Sequence, residues 1–464
     1  MFAAGAMVAP ARADVADDAR ALMDGADYQA AADILAAQIQ SAPRSSQLGT
    51  LNALLGECRF ELGDYDGARA CFNIAKAKGV ADAYRFLGRL AYLDYDFPGA
   101  AEHYTRYRQM KTRAKKPTAP EADEEEARIS MAEDFLNRVE KLAIIDSITT
   151  DFDGFYKAYR LPASAGRLTE ADAIPFDESR RQASMAYSNE AGDYMLWAEP
   201  DTIGSQRIYE SIRLTDGTWH TPALVGDGLL EGDSDYPYMM ADGLTLYFAN
   251  SGPESMGGYD IFVASRDAAT GKYMQPRNLG MPYNSPYDDF MLAIDEQNGI
   301  GWWATDRKRL DGKVSVYVFA VNDLRSNYNP DEDDVISLAR IDDIAATRQG
   351  KDFSELQAAL TEISTDPQAR KADFIFPMKG GVVYTTLSDF KSEAARDAMQ
   401  AYLDAQKKYD ADAAALAELR RQYAQAPSKG MMYEIGEAEK ALETDLGRLR
   451  RLRSDVYRAE KKQD

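Results

Sequence analysis

Histidine is the side chain best suited to moving protons near neutral pH, and the chain holds two, His103 and His220. His103 sits beside Tyr104 within a helical repeat, and His220 follows Trp219 at the end of an expected strand, so neither is placed to act as a base. Cys58 and Cys71 lie symmetrically about a turn expected near Asp64. They read either as two small apolar packing residues or as a pair facing each other across a helical hairpin. Two Cys and two His at these spacings supply no zinc ligand set. Asn327-x-Asn329-x-Asp331-x-Asp333 offers oxygens at alternating positions, but it lacks the glycine and the trailing glutamate of a calcium loop. Asp151-x-Asp153-Gly154 is a shorter fragment of the same kind, and a solvated turn accounts for both. There is no Gly-x-Ser-x-Gly elbow, and carboxylates are too abundant for any pair to stand out for glycoside hydrolysis. The expectation is a non-enzymatic protein with no catalytic, cofactor-binding or metal-binding residues, and with no cofactor.

The elements that carry these residues point to an interaction protein. At 464 residues the chain suits two or three domains of roughly 100–200 residues each. Its 45% hydrophobic and 28% charged residues are those of a folded chain. A formal charge of −22 repels a phosphate backbone, so nucleic acid is not an expected partner. The cluster Arg448, Arg450, Arg451 and Arg453 reads as a solvated helix surface. Residues 1–13 resemble the apolar part of a signal peptide, with Ala11-Arg12-Ala13 as a cleavage site before Asp14, although the basic start is missing. No run approaches the ~20 apolar residues of a membrane span.

Periodicity is the strongest signal. Gly56, Tyr65, Ala68 and Phe72 recur as Gly88, Phe97, Ala100 and Tyr104 at one constant offset of 32 residues, close to the ~34-residue period of a tetratricopeptide (TPR) repeat. Tyr28, Ala31 and Leu35 form a weaker earlier copy. Small residues let paired helices approach while the aromatic ones fill the space between pairs. Residues 14–142 are therefore expected to be a TPR-like α-solenoid of three units. A linker at Lys111–Glu126 and a capping helix from Ala127 to Leu142 would complete it.

After residue 142 the pattern becomes short β-branched and aromatic runs punctuated by Gly, Asp, Asn and Pro. Tyr194–Trp197, Leu246–Ala249 and Gly301–Ala304 form one strand type. Ile208–Ser211, Ile261–Ala264 and Val316–Phe319 form the next, and the offset is 53 to 55 residues. That length suits a four-stranded blade, so residues 143–390 are expected to be a β-propeller of four or five blades, with a helical insertion near 335–370. Residues 391–464 read as a helical hairpin tail or coiled coil. Its apolar seam is Ile435, Leu442, Leu449 and Val456, with Leu452 between them; Leu416, Leu419 and Tyr423 precede a turn at Pro427–Gly430.

Gly257-Gly258-Tyr259-Asp260-Ile261-Phe262-Val263-Ala264, followed by Gln275–Gly280 and Tyr283–Asp289, resembles the WD40-like (PD40) repeat of Bacteroidota envelope proteins. Ile145-Asp146-Ser147, Phe155, Tyr159 and Gly166-Arg167-Leu168 resemble the segment that opens their propellers. Many members carry TPR repeats before the propeller, and the likeness covers residues 14 to about 330. It implies a periplasmic scaffold at the inner face of the outer membrane, similar in layout to scaffold proteins of type IX secretion. Two features of those proteins, an OmpA-like domain and a lipid-anchor cysteine, are not recognisable here. The expected partners are outer-membrane or periplasmic proteins of a secretion, assembly or nutrient-uptake complex, with a peptide in the TPR groove. The alternative is an envelope glycan- or peptidoglycan-binding propeller, using Tyr236, Tyr238, Tyr283 and Tyr287 to stack on sugars.

Overall fold

Three aspartates start the second helix of three successive helical pairs in the same way. Asp27, Asp64 and Asp96 each accept a hydrogen bond from the backbone N–H three residues on, at 3.2, 3.0 and 3.0 Å, which satisfies a donor that the helix leaves unpaired. Each follows a residue in the left-handed region: Ala26, Gly63 and Tyr95, at φ 59°, 78° and 63°. Glycine adopts this conformation freely, whereas Tyr95 holds it as a buried side chain.

The computed structural model describes residues 14–176, 185–322, 324–365, 376–377, 383–384, 387–425 and 428–461. The leader-like residues 1–13 lie outside these, as do parts of the segment expected to form a hairpin near 374–384. Contacts divide the chain into two units, 1–363 and 364–464.

The first unit opens with seven helices: α1 (Val15–Asp24), α2 (Tyr28–Ser41), α3 (Leu48–Glu61), α4 (Tyr65–Ala77), α5 (Asp82–Leu93), α6 (Phe97–Ala114) and α7 (Ala122–Leu136). Two glycines set the spacing of the pairs. A Cβ on Gly56 would lie 2.7 Å from the Phe72 ring, and one on Gly88 would lie 2.6 Å from the Tyr104 ring, so only glycine lets these helices close on those aromatics. Of the expected linker, residues 115–121, with both prolines, connect α6 to α7, and its two ends are helical. Asp123, Glu124 and Glu125 occupy the first turn of α7, where acidic side chains suit the positive end of the helix dipole. The helix also stops earlier than expected, so Val139 and Leu142 are buried beyond its end.

Among the described residues, thirteen strands follow: β1 (Ile144–Asp151), β2 (Arg167–Glu170), β3 (Met185–Ser188), β4 (Tyr194–Pro200), β5 (Gln206–Ile212), β6 (Ala223–Leu224), β7 (Ser234–Met239), β8 (Thr245–Asn250), β9 (Asp260–Ser265), β10 (Arg277–Asn278), β11 (Asp289–Asp295), β12 (Ile300–Thr305) and β13 (Lys313–Ala320). They form three antiparallel sheets, ordered β2-β3-β4-β5-β6, β7-β8-β9-β10 and β11-β12-β13-β1. The two recurring strand types become β4, β8, β12 and β5, β9, β13, the same two neighbours in each sheet. β1 runs from Ile144 opposite Phe319 to Asp151 opposite Lys313, so the first strand of the β region completes its last sheet.

All three sheets contribute to one central cluster, including Leu196, Ile208, Tyr236, Phe248, Phe262, Phe290, Trp302 and Val316. Tyr238 of β7 ties them together, because its ring packs edge-on against Tyr187 of β3 with centroids 5.1 Å apart while its hydroxyl donates to the Ile294 carbonyl of β11 at 2.7 Å, with the Ala165 carbonyl at 3.0 Å. Neither a closed barrel nor a closed propeller is present among the described residues. Among the described residues of the range expected to hold four or five blades, these three sheets are followed by a two-stranded one that pairs Phe376–Pro377 with Val383–Tyr384. After β13 the chain turns to helices α8 (Val335–Arg340), α9 (Ile344–Thr347) and α10 (Ser354–Thr365). Thr347 accepts from the Ile144 N–H, and Arg348 donates to the carbonyls of Ile144 and Ile145, which covers part of an edge otherwise open to pairing.

The second unit is built on two 33-residue helices, α11 (Glu393–Gln425) and α12 (Lys429–Lys461). Lys408–Asp445 and Arg420–Glu439, at 2.6 and 2.7 Å, set their antiparallel register. Leu416, Leu449 and Val456 are buried, and Val456 packs with Phe376, Phe390 and Met399. Arg448, Arg450, Arg451 and Arg453 are exposed on α12. Among the described residues, no helix is long and apolar enough to cross a membrane.

Candidate functional site

The helical array and the β region meet along a cleft whose two sides are fastened to each other. Tyr92 of α5 donates to the Met256 carbonyl at 2.7 Å. Arg309, in the turn between β12 and β13, donates to the Gly63 carbonyl at 2.6 Å, and its guanidinium lies 3.5 Å from the centre of the Tyr65 ring. Between these two fastenings is a cavity of about 240 Å³. Its helical wall is formed by Phe60, Tyr65, Arg89, Tyr92, Tyr104, Glu125, Arg128 and Ile129, and its β wall by Met256, Gly257, Pro286 and Tyr287. A Cβ at Gly257 would come within 2.3 Å of the Tyr287 carbonyl oxygen, so glycine is what allows these two β segments to lie side by side.

One turn holds the β wall from both ends. Its Arg307 points inward and meets Asp289 at 2.6 Å, with the two side chains 4% and 0% exposed. It also donates to the carbonyls of Pro282 and Tyr283. A buried charge of this kind is tolerable only when paired and hydrogen-bonded, and the pairing fixes the strand entered directly after Tyr287. Asp306 accepts from the Asp288 N–H at 2.9 Å. Burial, followed by the nearby Asp288 carboxylate, pushes the Asp306 carboxyl up to about 7.

The charges on the helical wall differ in how far they are already engaged. Glu125 accepts both arms of Arg85 at 2.7 Å and the Tyr104 hydroxyl at 2.7 Å. Burial raises its carboxyl, but these hydrogen bonds outweigh that and hold it below the usual range. Burial, then Glu125, raises the Tyr104 phenol. Arg89 lies over the Phe60 ring at 4.2 Å and reaches Glu61 and Glu125 only at 3.8 Å. Arg128 has a buried Nε without a hydrogen-bond partner. The cleft therefore presents aromatic surface, one ion-paired carboxylate and, among the described residues, two guanidinium groups without close ion-pair partners.

The residues weighed for chemistry are not brought together here. His103 lies on α6 against Tyr84, its ring lowered by burial and then by Lys76. His220 is exposed in the β region, with Nδ1 at 3.0 Å from the Thr221 carbonyl. Cys58 and Cys71 are free and buried, and burial pushes the Cys58 thiol up to about 11. Asn329 and Asp333 bond to their own loop, as Asp331 N–H donates to Asn329 and Asn329 N–H to Asp333. Among the described residues, no group of three or more His, Cys, Asp and Glu side chains is arranged to hold a metal.

The tyrosines named for sugar stacking need correction. Tyr236, Tyr238 and Tyr283 are 6%, 1% and 6% exposed and pack inside the β region. Only Tyr287 reaches the cleft, half-buried. Tyr65 and Tyr104 line the cleft as well as packing the repeats. Arg89, Arg128 and Tyr92 carry no sequence signal of their own, because what sets them apart is lining one cavity with Met256, Gly257, Pro286 and Tyr287, more than a hundred residues further along the chain. No family model, curated protein or solved structure matches the chain.

Proposed function

We propose that this protein is a non-enzymatic scaffold or adaptor that holds a segment of a partner protein in the cleft between its helical array and its β region. The single observation that carries this is the cleft itself: aromatic on both walls, held open by contacts on either side, and edged by arginines that lack full partners. Aromatic residues and arginine dominate protein-recognition hot spots. Two of the groups on its walls are set by burial and by each other: hydrogen bonds hold the Glu125 carboxyl below the usual range, and burial and Glu125 raise the Tyr104 phenol.

The finer reading of the fold belongs to the same proposal. A TPR-like solenoid is supported by the 32-residue offset, the repeated aspartate caps and the paired Gly56–Phe72 and Gly88–Tyr104 contacts. WD40-like, propeller-type blades are supported by three consecutive antiparallel sheets with equivalent strands and by the first strand completing the last sheet. The resemblance to envelope proteins and the leader-like residues 1–13 favour a periplasmic location at the inner face of the outer membrane. The favoured partner is then a protein of an outer-membrane complex. The glycan alternative loses three of its four named aromatics to the interior.

Affinity capture of the tagged chain from its native envelope, compared with the Tyr287→Ala variant, tests the reading. A defined partner recovered with the wild type and lost with the variant is expected. Equal recovery with both would overturn the assignment of the cleft, and recovery from the cytoplasm alone would overturn the location.

A further inference from the structure

The cleft carries information about what part of a partner it accepts. At about 240 Å³ it falls below the roughly 300–1,000 Å³ of a drug-sized ligand site, so it has room for a single large side chain rather than a folded element. Two chemistries converge in that space. The walls are apolar and aromatic through Phe60, Ile129, Met256 and Pro286, while Arg89 and Arg128 bring positive charge. Glu125, the carboxylate in the lining, is matched at 2.7 Å by Arg85 and Tyr104, while Arg89 reaches Glu125 and Glu61 only at 3.8 Å. Among the described residues, no ion pair engages Arg128, and its Nε is buried and unpartnered. A ligand carboxylate in the cleft would supply Arg128, a lining residue, with the counter-charge it lacks. On a chain of formal charge −22 such a site selects by local charge.

We propose, resting on the partner-binding reading above, that the cleft receives the C-terminal residue of a partner chain, an aromatic or large aliphatic residue whose free carboxylate is bound by Arg89 and Arg128. A terminal residue brings an apolar side chain and an anion on one residue, which is what the available volume admits. An internal acidic residue would need a second, neighbouring residue to fill the aromatic part, and the chain would have to leave the cleft at both ends. Guanidinium binds carboxylate through two parallel hydrogen bonds, so the expected discrimination is between the acid and its amide.

The test uses the full chain and an array of eight-residue peptides, randomised upstream and ending in Phe, Tyr, Leu or Met as the free acid. The same array amidated at the terminus, and amidated peptides carrying an internal Glu beside Phe, serve as the other arms. Free-acid peptides should bind, and amidation should weaken them about tenfold or more, as loss of a charged hydrogen bond implies. Arg128→Gln should remove the preference for the acid without shifting the melting temperature. Because Arg89 also packs on Phe60 and Phe86, Arg89→Lys is the companion variant, and it should weaken the acid while keeping the fold. Equal binding of acid and amide, binding of the internal-Glu peptides alone, a preference retained in Arg128→Gln, or no binding at all would each overturn the inference. If Tyr287→Ala still releases the captured partner while free-acid peptides fail to displace it, the partner-binding reading stands and this inference alone fails.

Discussion

Arg309 stacks on Tyr65 at 3.5 Å while donating to the Gly63 carbonyl, so one side chain of the β region grips the turn between two helices of the array. The equivalent turn of the next repeat is also engaged: Tyr95 is buried within the fields of Arg307 and Asp289. Two successive helical turns thus rest on one β turn. Arg309→Ala should detach the first without unfolding either region. Because Arg309 is exposed, solvent screening limits the loss to about 1 kcal/mol. Hydrogen exchange should speed up at residues 60–66 and stay unchanged in β11–β13.

Gly88→Ala places a methyl group where the Tyr104 ring lies. The helix gains up to about 1 kcal/mol in propensity, but overpacking costs about 1–3 kcal/mol, and the displaced ring gives up its hydrogen bond to Glu125. A net loss of about 1–2 kcal/mol in urea unfolding is expected. Gly436, at which an added Cβ meets nothing within 4 Å, should show a neutral or stabilising effect on the same change.

Arg307→Met should be the most damaging of these single changes, because it leaves the fully buried Asp289 without its charge partner. Breaking such a pair costs about 3–5 kcal/mol. The double variant Arg307→Met, Asp289→Leu should recover much of the loss, and differential scanning calorimetry of the two proteins measures the difference.

Asp306 gives a pH dependence whose sign follows from linkage. Its carboxyl is raised by burial and then by Asp288 to about 7 in the folded protein, against about 3.9 in an unfolded chain. Between these values the unfolded chain releases the proton that the folded one keeps. Its contribution to stability is therefore complete below pH ~4 and is lost as pH rises through about 7. Asp306→Asn keeps an acceptor for the Asp288 N–H and removes the titration. The variant should gain on the wild type from pH 4 to 7 and hold a constant advantage above that, on the order of 1–2 kcal/mol after screening. Parallel melting curves at pH 4, 5.5, 7 and 8 read this directly.

Sequence was informative wherever structure is local or periodic. The helix pairs follow from residues such as Gly56, Phe72, Gly88 and Tyr104, and the recurring strands from runs such as Leu246–Ala249 and Ile261–Ala264. A charge run misled where it served a helix terminus: Asp123, Glu124 and Glu125 open α7 instead of solvating a linker. Aromatic residues were equally ambiguous. Tyr238 and Tyr287 look alike in sequence, yet one ties three sheets together and the other faces the cleft. The cleft was legible only in part, because Arg89, Arg128 and Arg309 acquire their roles from the meeting of helices and strands far apart in the chain.

The central claim is that a partner occupies the cleft, and site-specific photo-crosslinking tests it most directly. A photoreactive amino acid placed at Tyr287, and separately at the exposed control position Ile203, is activated in intact cells and the adducts are identified by mass spectrometry. The account predicts one dominant protein adduct from position 287 that is absent from position 203. The same adducts from both positions, or none from 287 in cells where 203 reacts, would contradict it.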